Sequence, residues 1–293
     1  ARVLPNPRGT APGQVVEASG KLLFLLPGPP GEMEPMFLKE VLPEIIARVG
    51  GNVFRTRILK IAGIGESDVE QIVAPIYTTF ENPKTTILGG AGEVELHFTA
   101  SGRTAPEAEA RIEALASLVR ERLKTRIFSE DGRTLPEVVA ELLKARGLTL
   151  ALAESCTGGL LSARLTELPG SSAFLLSSFV TYANAAKVEL LGVPEALLSE
   201  KGAVSEEVAR SMADGVRASS RASIGVAITG IAGPDGGSPE KPVGLVYLGL
   251  SGRAGDRVRK AHFPGDRQRV RLQATQAALE MVRRGLLGLS PES

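Results

Sequence analysis

The residues with the most chemistry to offer fall in four short segments of the C-terminal half. In the first, Glu154-Ser155-Cys156-Thr157-Gly158-Gly159, a serine follows an apolar run (148–153) that reads as a strand and precedes a helical pattern. A serine on such a strand-to-helix turn stands where a nucleophile would, as in the nucleophile elbow, although Gly-x-Ser-x-Gly itself is absent. The turn leads into a helix N-terminus whose free N–H groups can hold an anion, with Thr157, Gly158 and Gly159 around it. The plainer alternative is that Ser155 and Thr157 only cap the helix.

The second segment, Tyr182-Ala183-Asn184-Ala185-Ala186-Lys187, closes another strand. Asn184 reads as the cap of the next helix, which leaves Tyr182 at the strand's end and Lys187 one turn into the helix. A cation there opposes the helix dipole, so Lys187 either swings into solvent or is held for a purpose. Desolvated against a serine hydroxyl, it could act as a general base. The third segment, Thr229-Gly230-Ile231-Ala232-Gly233-Pro234-Asp235-Gly236-Gly237, is a glycine-rich loop at a strand's carboxyl end. It suits contacts from Gly230, Ala232 and Gly233 to a phosphate or oxyanion, with Thr229 adding a hydroxyl. A flexible hairpin connection would account for the glycines but poorly for the threonine. The fourth, Asp266-Arg267-Gln268-Arg269-Val270-Arg271, opens the last helix with three arginines. Arg267 and Arg271 share a face and could clamp a phosphate; an ordinary basic helix end is the alternative.

Scarce residues narrow the choice. The single cysteine, Cys156, forbids an intramolecular disulfide and a multi-cysteine zinc site. A Ser-His-Asp triad would have to use His97 or His262, the only histidines. Neither lies near a motif, and His97 sits beside Phe98 in a strand pattern as a structural histidine would. A Ser-Lys pair is therefore the more economical nucleophile arrangement. Net charge is +1 and aromatic residues are 4% of the chain, which argues against nucleic acid or an anionic membrane as partner. No apolar run approaches the roughly 18 residues of a spanning helix, so a soluble protein is expected.

These segments need a framework. A length of 293 residues suggests at least two domains, at about 150 residues each. Residues 1–49 open on Asn6-Pro7-Arg8-Gly9-Thr10-Ala11-Pro12-Gly13 with no preceding element, then show a buried strand (21–26) and a helix (33–49). That is too little for a core of its own and reads as the end of an α/β domain. Residues 50–130 read as a small α+β unit. It has a strand at 53–61, a helix capped by Ser67 and Asp68, strands at 85–88 and 93–100, and a helix at 106–124 striped with Ile112, Leu115, Leu118, Val119 and Leu123. Residues 128–132 form a polar break. From 131 to 293 strands and helices alternate, starting at a Thr134/Glu137 capping box. That pattern predicts a three-layer αβα domain on a largely parallel sheet, with ligands at the carboxyl ends of the strands.

Ala153-Glu154-Ser155-Cys156-Thr157-Gly158-Gly159, Tyr182-x-Asn184-x-x-Lys187 and Thr229-Gly230-Ile231-Ala232-Gly233-Pro234 closely resemble the CinA family. The resemblance covers essentially the whole chain. Asn6-Pro7-x-Gly9-Thr10-Ala11-Pro12-Gly13 and Leu26-Pro27-Gly28-Pro29-Pro30-Gly31-Glu32-Met33 look like the end of the family's molybdopterin-binding-like N-terminal domain, and 50–130 like its KH-like middle region. Residues 131–293 look like its C-terminal, PncC-type nicotinamide mononucleotide deamidase.

The resemblance implies hydrolysis of nicotinamide mononucleotide to nicotinate mononucleotide and ammonia, a step of pyridine nucleotide recycling. It makes Ser155 the nucleophile and Lys187 its base, with Tyr182 and Thr229 completing the catalytic set. Thr157, Gly158, Gly159, Asn184, Gly230, Ala232 and Gly233 would line the substrate. Arg267 and Arg271 fit the family's Gly-Asp-Arg-x-x-Val-Arg pattern, with Arg267 favoured as the substrate's arginine. The deamidation requires no metal or cofactor. ADP-ribose pyrophosphatase activity, using divalent metal and potassium, is expected only of an intact parent, because the family's Gly-Gly-x-Gly-Pro-Thr stretch is absent here. A cytoplasmic homodimer without membrane association is implied. Two alternatives stand beside this: a competence- or DNA-damage-related nucleic-acid binder, disfavoured by the acidic Gly63-Ile64-Gly65-Glu66 loop, and a nucleotide sensor in which Ser155 is a helix cap.

Overall fold

In the computed structural model, which describes residues 1–49 and 51–290, the catalytic candidates lie at or just beyond the ends of strands of one sheet, with Lys187 in the helix that follows one of them. The boundary expected at residue 50 falls outside the described residues. The chain forms two units, residues 1–55 with 100–110 and residues 56–99 with 111–293.

In the first unit, β1 (Arg2–Leu4), β2 (Gly13–Ala18) and β3 (Lys21–Leu25) form an antiparallel sheet. Helices α1 (Pro30–Met36) and α2 (Leu42–Val49) follow, joined by a π-helical turn, Phe37–Val41. Leu4, Val15, Met36 and Val41 make its small core, with Leu22 and Phe24 packed on it. Two expectations are corrected here. A strand does precede Asn6, too short to show a period in the sequence. The 21–26 run is not buried on both faces: successive side chains alternate across a strand, and Leu23 and Leu25 are exposed.

The chain continues through β4 (Val53–Ala62), α3 (Glu66–Tyr77), β5 (Lys84–Gly89), β6 (Glu93–Gly102), α4 (Ala105–Leu123) and β7 (Ile127–Ser129), with strand order β5-β6-β4-β7. Leu59, Ile61, Val69, Val73, Leu96, Phe98, Ile112, Leu115, Val119 and Leu123 are buried, as the periodicities require, whereas Leu118 faces outward. Gly65, with no side chain to offer, stands at the cap of α3 in place of Ser67 and Asp68. The expected polar break begins as a strand. Phe128 is buried and joins the hydrophobic core of the C-terminal sheet, so the charges at 130 and 131 mark a turn rather than a free linker.

That sheet is built from β8 (Leu150–Glu154), β9 (Leu175–Val180), β10 (Ile224–Gly230), β11 (Leu245–Gly252) and β12 (Arg257–His262), in the order β12-β11-β10-β8-β9. Helix α5 (Leu135–Ala145) leads in, held at its start by the Thr134/Glu137 capping box. Then come α6 (Leu160–Thr166), α7 (Asn184–Leu191), α8 (Glu195–Lys201), α9 (Glu206–Ser220) and α10 (Arg267–Leu286). Alternation along β8 sorts the layers. Leu150 and Leu152 pack with Leu143 of α5, Leu161 of α6 and Val270 to Leu286 of α10. Ala151 and Ala153 pack with Leu191 of α7, Leu198 of α8 and Met212 and Val216 of α9. Each large aliphatic side chain so buried contributes about 1.5–3 kcal/mol.

The three-layer αβα arrangement is the expected one, but the sheet is mixed. β9, β8 and β10 run parallel, while β11 and β12 pair antiparallel. No helix lies between β10 and β11 or between β11 and β12, and without a crossover element the chain can only return antiparallel. The register aligns Ile228 with Glu154 and Glu154 with Val180. Ser155, Thr181 and Thr229 therefore emerge side by side at the carboxyl ends of three parallel strands.

Candidate active site

Ser155 is the first residue beyond β8. Its N–H donates to the Ile228 carbonyl of β10 at 2.9 Å, which fixes the backbone at the place where its side chain leaves the sheet. Gly158 and Gly159 then turn the chain into α6 with φ of +58° and +90°, a region costly for any residue with a Cβ. Neither Ser155 nor Thr157 caps α6; the cap position belongs to Gly159 and no side chain at that position bonds the helix. The helix-cap alternative for Ser155 therefore fails.

Opposite Ser155 lies Lys187, 1% exposed. Its Nζ is 3.3 Å from Ser155 Oγ, 2.7 Å from the Thr181 carbonyl and 3.3 Å from the Tyr182 carbonyl. Among the described residues it has no ion-pair partner. Burial pulls its pKa below the ordinary lysine value, with only a small opposing effect from Cys156. Nζ donates to both carbonyls and lies within hydrogen-bond distance of Ser155 Oγ, so that in its neutral form the amine has a lone pair to accept the serine O–H. The solvated-lysine alternative is thus excluded.

Sequence reasoning missed Glu154. This residue is fully buried. Its carboxylate accepts hydrogen bonds from the N–H groups of Gly159 at 3.1 Å, Leu161 at 3.1 Å and Ser162 at 2.8 Å. It thereby caps α6 from inside the sheet and meets the positive end of the helix dipole. The N-terminus of α6, including the N–H of Gly159, is consumed by the protein and is not the open anion site expected. The signal was present in the sequence as a glutamate ending an otherwise apolar strand, immediately before a glycine turn.

The other candidates divide. Tyr182 is exposed, and its hydroxyl accepts from Arg267 at 2.9 Å; the same guanidinium donates to the Gly233 carbonyl at 2.9 Å. Arg271 donates to the Thr157 carbonyl at 2.7 Å. The two arginines thus tie the start of α10 to all three strand-end loops, and with Leu160, Gln268 and Leu272 they line a cavity of about 390 Å³. Gly230 belongs to β10, where a Cβ would come 2.7 Å from the Leu245 carbonyl oxygen, and Ala232 is buried just beyond it. Thr229 is brought to the site, but its hydroxyl donates to the Ala203 carbonyl at 2.7 Å, so its proton is already committed. Asn184 is an exposed first residue of α7, not its cap, which is Ala183. Thr157 and Thr181 each bury a hydroxyl with no partner. Neither histidine joins the dyad: His97 lies against Glu95, and His262 against the Val243 carbonyl. Neither the cavity of about 390 Å³ nor a larger cleft of about 420 Å³ between Gly63-Ile64-Gly65 and Arg269 is lined by Ser155 or Lys187.

Comparison with known proteins agrees with this layout. Residues 132–286 match the CinA C-terminal domain and residues 56–129 the KH domain of damage-inducible protein CinA. The chain is 45% identical over 288 residues to a CinA-like protein of Solibacter usitatus, covering 98% of this chain and 69% of that protein. It is 46% identical over 289 residues to a CinA-like protein of Dictyoglomus thermophilum, covering 99% and 70%. The crystal structure of a competence-damaged protein (CinA) superfamily protein from Klebsiella pneumoniae superposes with a TM-score of 0.51 at 34% identity, over 53% of this chain and 99% of that one. With the family's C-terminal domain matched over more than half of the chain, and with nearly all of the chain aligned to about 70% of the length of these relatives, this chain belongs to the CinA family.

Proposed function

We propose that the C-terminal domain is an amidohydrolase that converts nicotinamide mononucleotide to nicotinate mononucleotide and ammonia. The observation that carries the proposal is Lys187, a buried lysine with no carboxylate partner among the described residues, its Nζ 3.3 Å from Ser155 Oγ. A structural lysine gains nothing from such a place, because burial of its charge is costly; a general base needs it.

In the proposed reaction Ser155 Oγ attacks the carboxamide carbon as Lys187 Nζ takes the hydroxyl proton. The tetrahedral intermediate collapses with transfer of that proton to the departing nitrogen, and ammonia leaves an acyl ester on Ser155. A water then attacks the ester, giving one proton to Lys187, and collapse returns that proton to Ser155 with release of the acid, which gives its remaining proton to solvent as the carboxylate. The buried hydroxyls of Thr157 and Thr181, on the loops that carry Ser155 and follow β9, have no partner among the described residues and are the hydrogen-bond donors left to serve the reaction. Arg267 and Arg271 meet the substrate phosphate in the cavity they line. The exposed ring of Tyr182, held by Arg267, offers an apolar face to the pyridine.

The test is ammonia release from nicotinamide mononucleotide by the wild type and by Ser155→Ala and Lys187→Ala. Turnover lost in both variants, by about 10² to 10⁴-fold or more for the base, supports the reading. Turnover that survives Ser155→Ala refutes it.

A further inference from the structure

Helix α10 meets the catalytic loops at one end and the KH-like module further along. Its first turns carry Arg267 and Arg271, bonded to Tyr182, Gly233 and Thr157. Five residues beyond Arg271, about 7.5 Å along the axis, stands Gln276, 2% exposed. Its Oε1 accepts from Arg164 Nη2 of α6 at 2.6 Å, and its Nε2 donates to Glu93 Oε2 of β6 at 2.8 Å. Arg164 also donates to Thr275 of α10 at 2.8 Å. Next to Glu93, Gly92 comes so close that a Cβ would sit 3.0 Å from Gln276 Cβ. Gln276 therefore uses both ends of one amide to join the helix behind the nucleophile loop, the helix bearing the arginines and a strand of the KH-like module.

We propose that the KH-like module is a positioning element of the amidase site: Glu93, acting through Gln276, holds α10 and α6 in the register that presents Arg267 and Arg271 to the substrate phosphate. Glu93 touches no substrate in this scheme. The Gln276 side chain is buried, and its amide cannot shift without breaking its bond to Arg164 or to Glu93. The proposal deepens the deamidase reading and rests on it for its kinetic consequence, whereas its structural consequence does not depend on the substrate.

The experiment uses the whole chain with Glu93→Ala, Glu93→Gln and Gln276→Leu. Hydrogen exchange without substrate reads the amides of 158–162 and 267–273, and steady-state kinetics use nicotinamide mononucleotide. In Glu93→Ala, which loses one hydrogen bond to a charged group, and in Gln276→Leu, which loses two, both segments exchange faster and KM rises on the order of 10-fold or more, while kcat stays within about twofold. Glu93→Gln retains an acceptor for Gln276 and restores both readouts. Unchanged exchange in both disruptive variants overturns the proposal. So does a uniform loss of folded protein with KM intact. If the wild type does not turn over nicotinamide mononucleotide, the functional reading fails, and the exchange data still decide the positioning role.

Discussion

Replacing Glu154 by Gln removes one negative charge and keeps nearly the same shape, so its effect can be worked from the hydrogen bonds. Oε2 now serves Gly159 and Leu161, and Oε1 serves Ser162. A glutamine can turn its single oxygen to the first pair, but its NH2 then faces the Ser162 N–H, leaving a buried donor unpaired. One charged-acceptor bond is lost and two are weakened from about 1.5–3 to about 0.5–1.5 kcal/mol each, for a total of about 3.5–6 kcal/mol. At about 2–4 °C per kcal/mol for a domain of this size, Tm should fall by about 7–24 °C. Calorimetry or circular dichroism reads that shift. Ser155 leads into the turn that this cap anchors, so kcat should drop by about 10-fold or more from lost alignment. A Gln variant that melts within about 2 °C of wild type and turns over normally would refute the internal-cap argument.

The kcat/KM profile should rise with pH through a group titrating below the usual lysine range, because Lys187 must be neutral to accept the serine proton and burial disfavours its charge. The native state holds that proton less tightly than the unfolded chain, so between the depressed and the ordinary lysine pKa stability should also increase with pH; denaturant melts across that interval check it. Arg267→Ala should raise KM about 10- to 100-fold, the worth of a charge-assisted contact of about 1.5–3 kcal/mol, with a smaller change in kcat, measured by initial rates. Cys156, whose thiol burial pushes up to about 12, should resist a thiol-labelling reagent at neutral pH until the protein is unfolded. Rapid labelling of native protein would show the loop to be open.

Much of the site was legible because each motif sits at a strand end. The apolar run before Ser155, the alternation around β10 and the position of Lys187 in a helix were enough to bring three loops together. Other features depended on partners that sequence cannot name. Thr229 looked like a site hydroxyl, yet the Ala203 carbonyl, 26 residues away, takes its proton. Asn184 has the composition of a cap but lies one residue inside the helix. Glu154 was passed over because its three donors lie downstream on the helix its own turn creates. The antiparallel β11 and β12 were equally invisible to pattern: a strand's period does not encode its direction, which the connection decides.

The internal cap on α6 has a consequence for how this domain can change its substrate. In folds where a phosphate rests on helix backbone, recognition is woven into the main chain and cannot be altered without disturbing the fold. Here Glu154 has taken those N–H groups, and the positive charge facing the proposed phosphate pocket comes from two side chains, Arg267 and Arg271, on a different helix. On the proposed function, anion preference is therefore set by side chains that single codon changes can alter while the Glu154 cap on α6 stays in place. Such a change also removes the bonds by which Arg267 and Arg271 hold the Gly233, Tyr182 and Thr157 loops. Relatives that keep the Ser-Lys pair while varying these two positions would be the place to look for amidases that accept substrates without a phosphate.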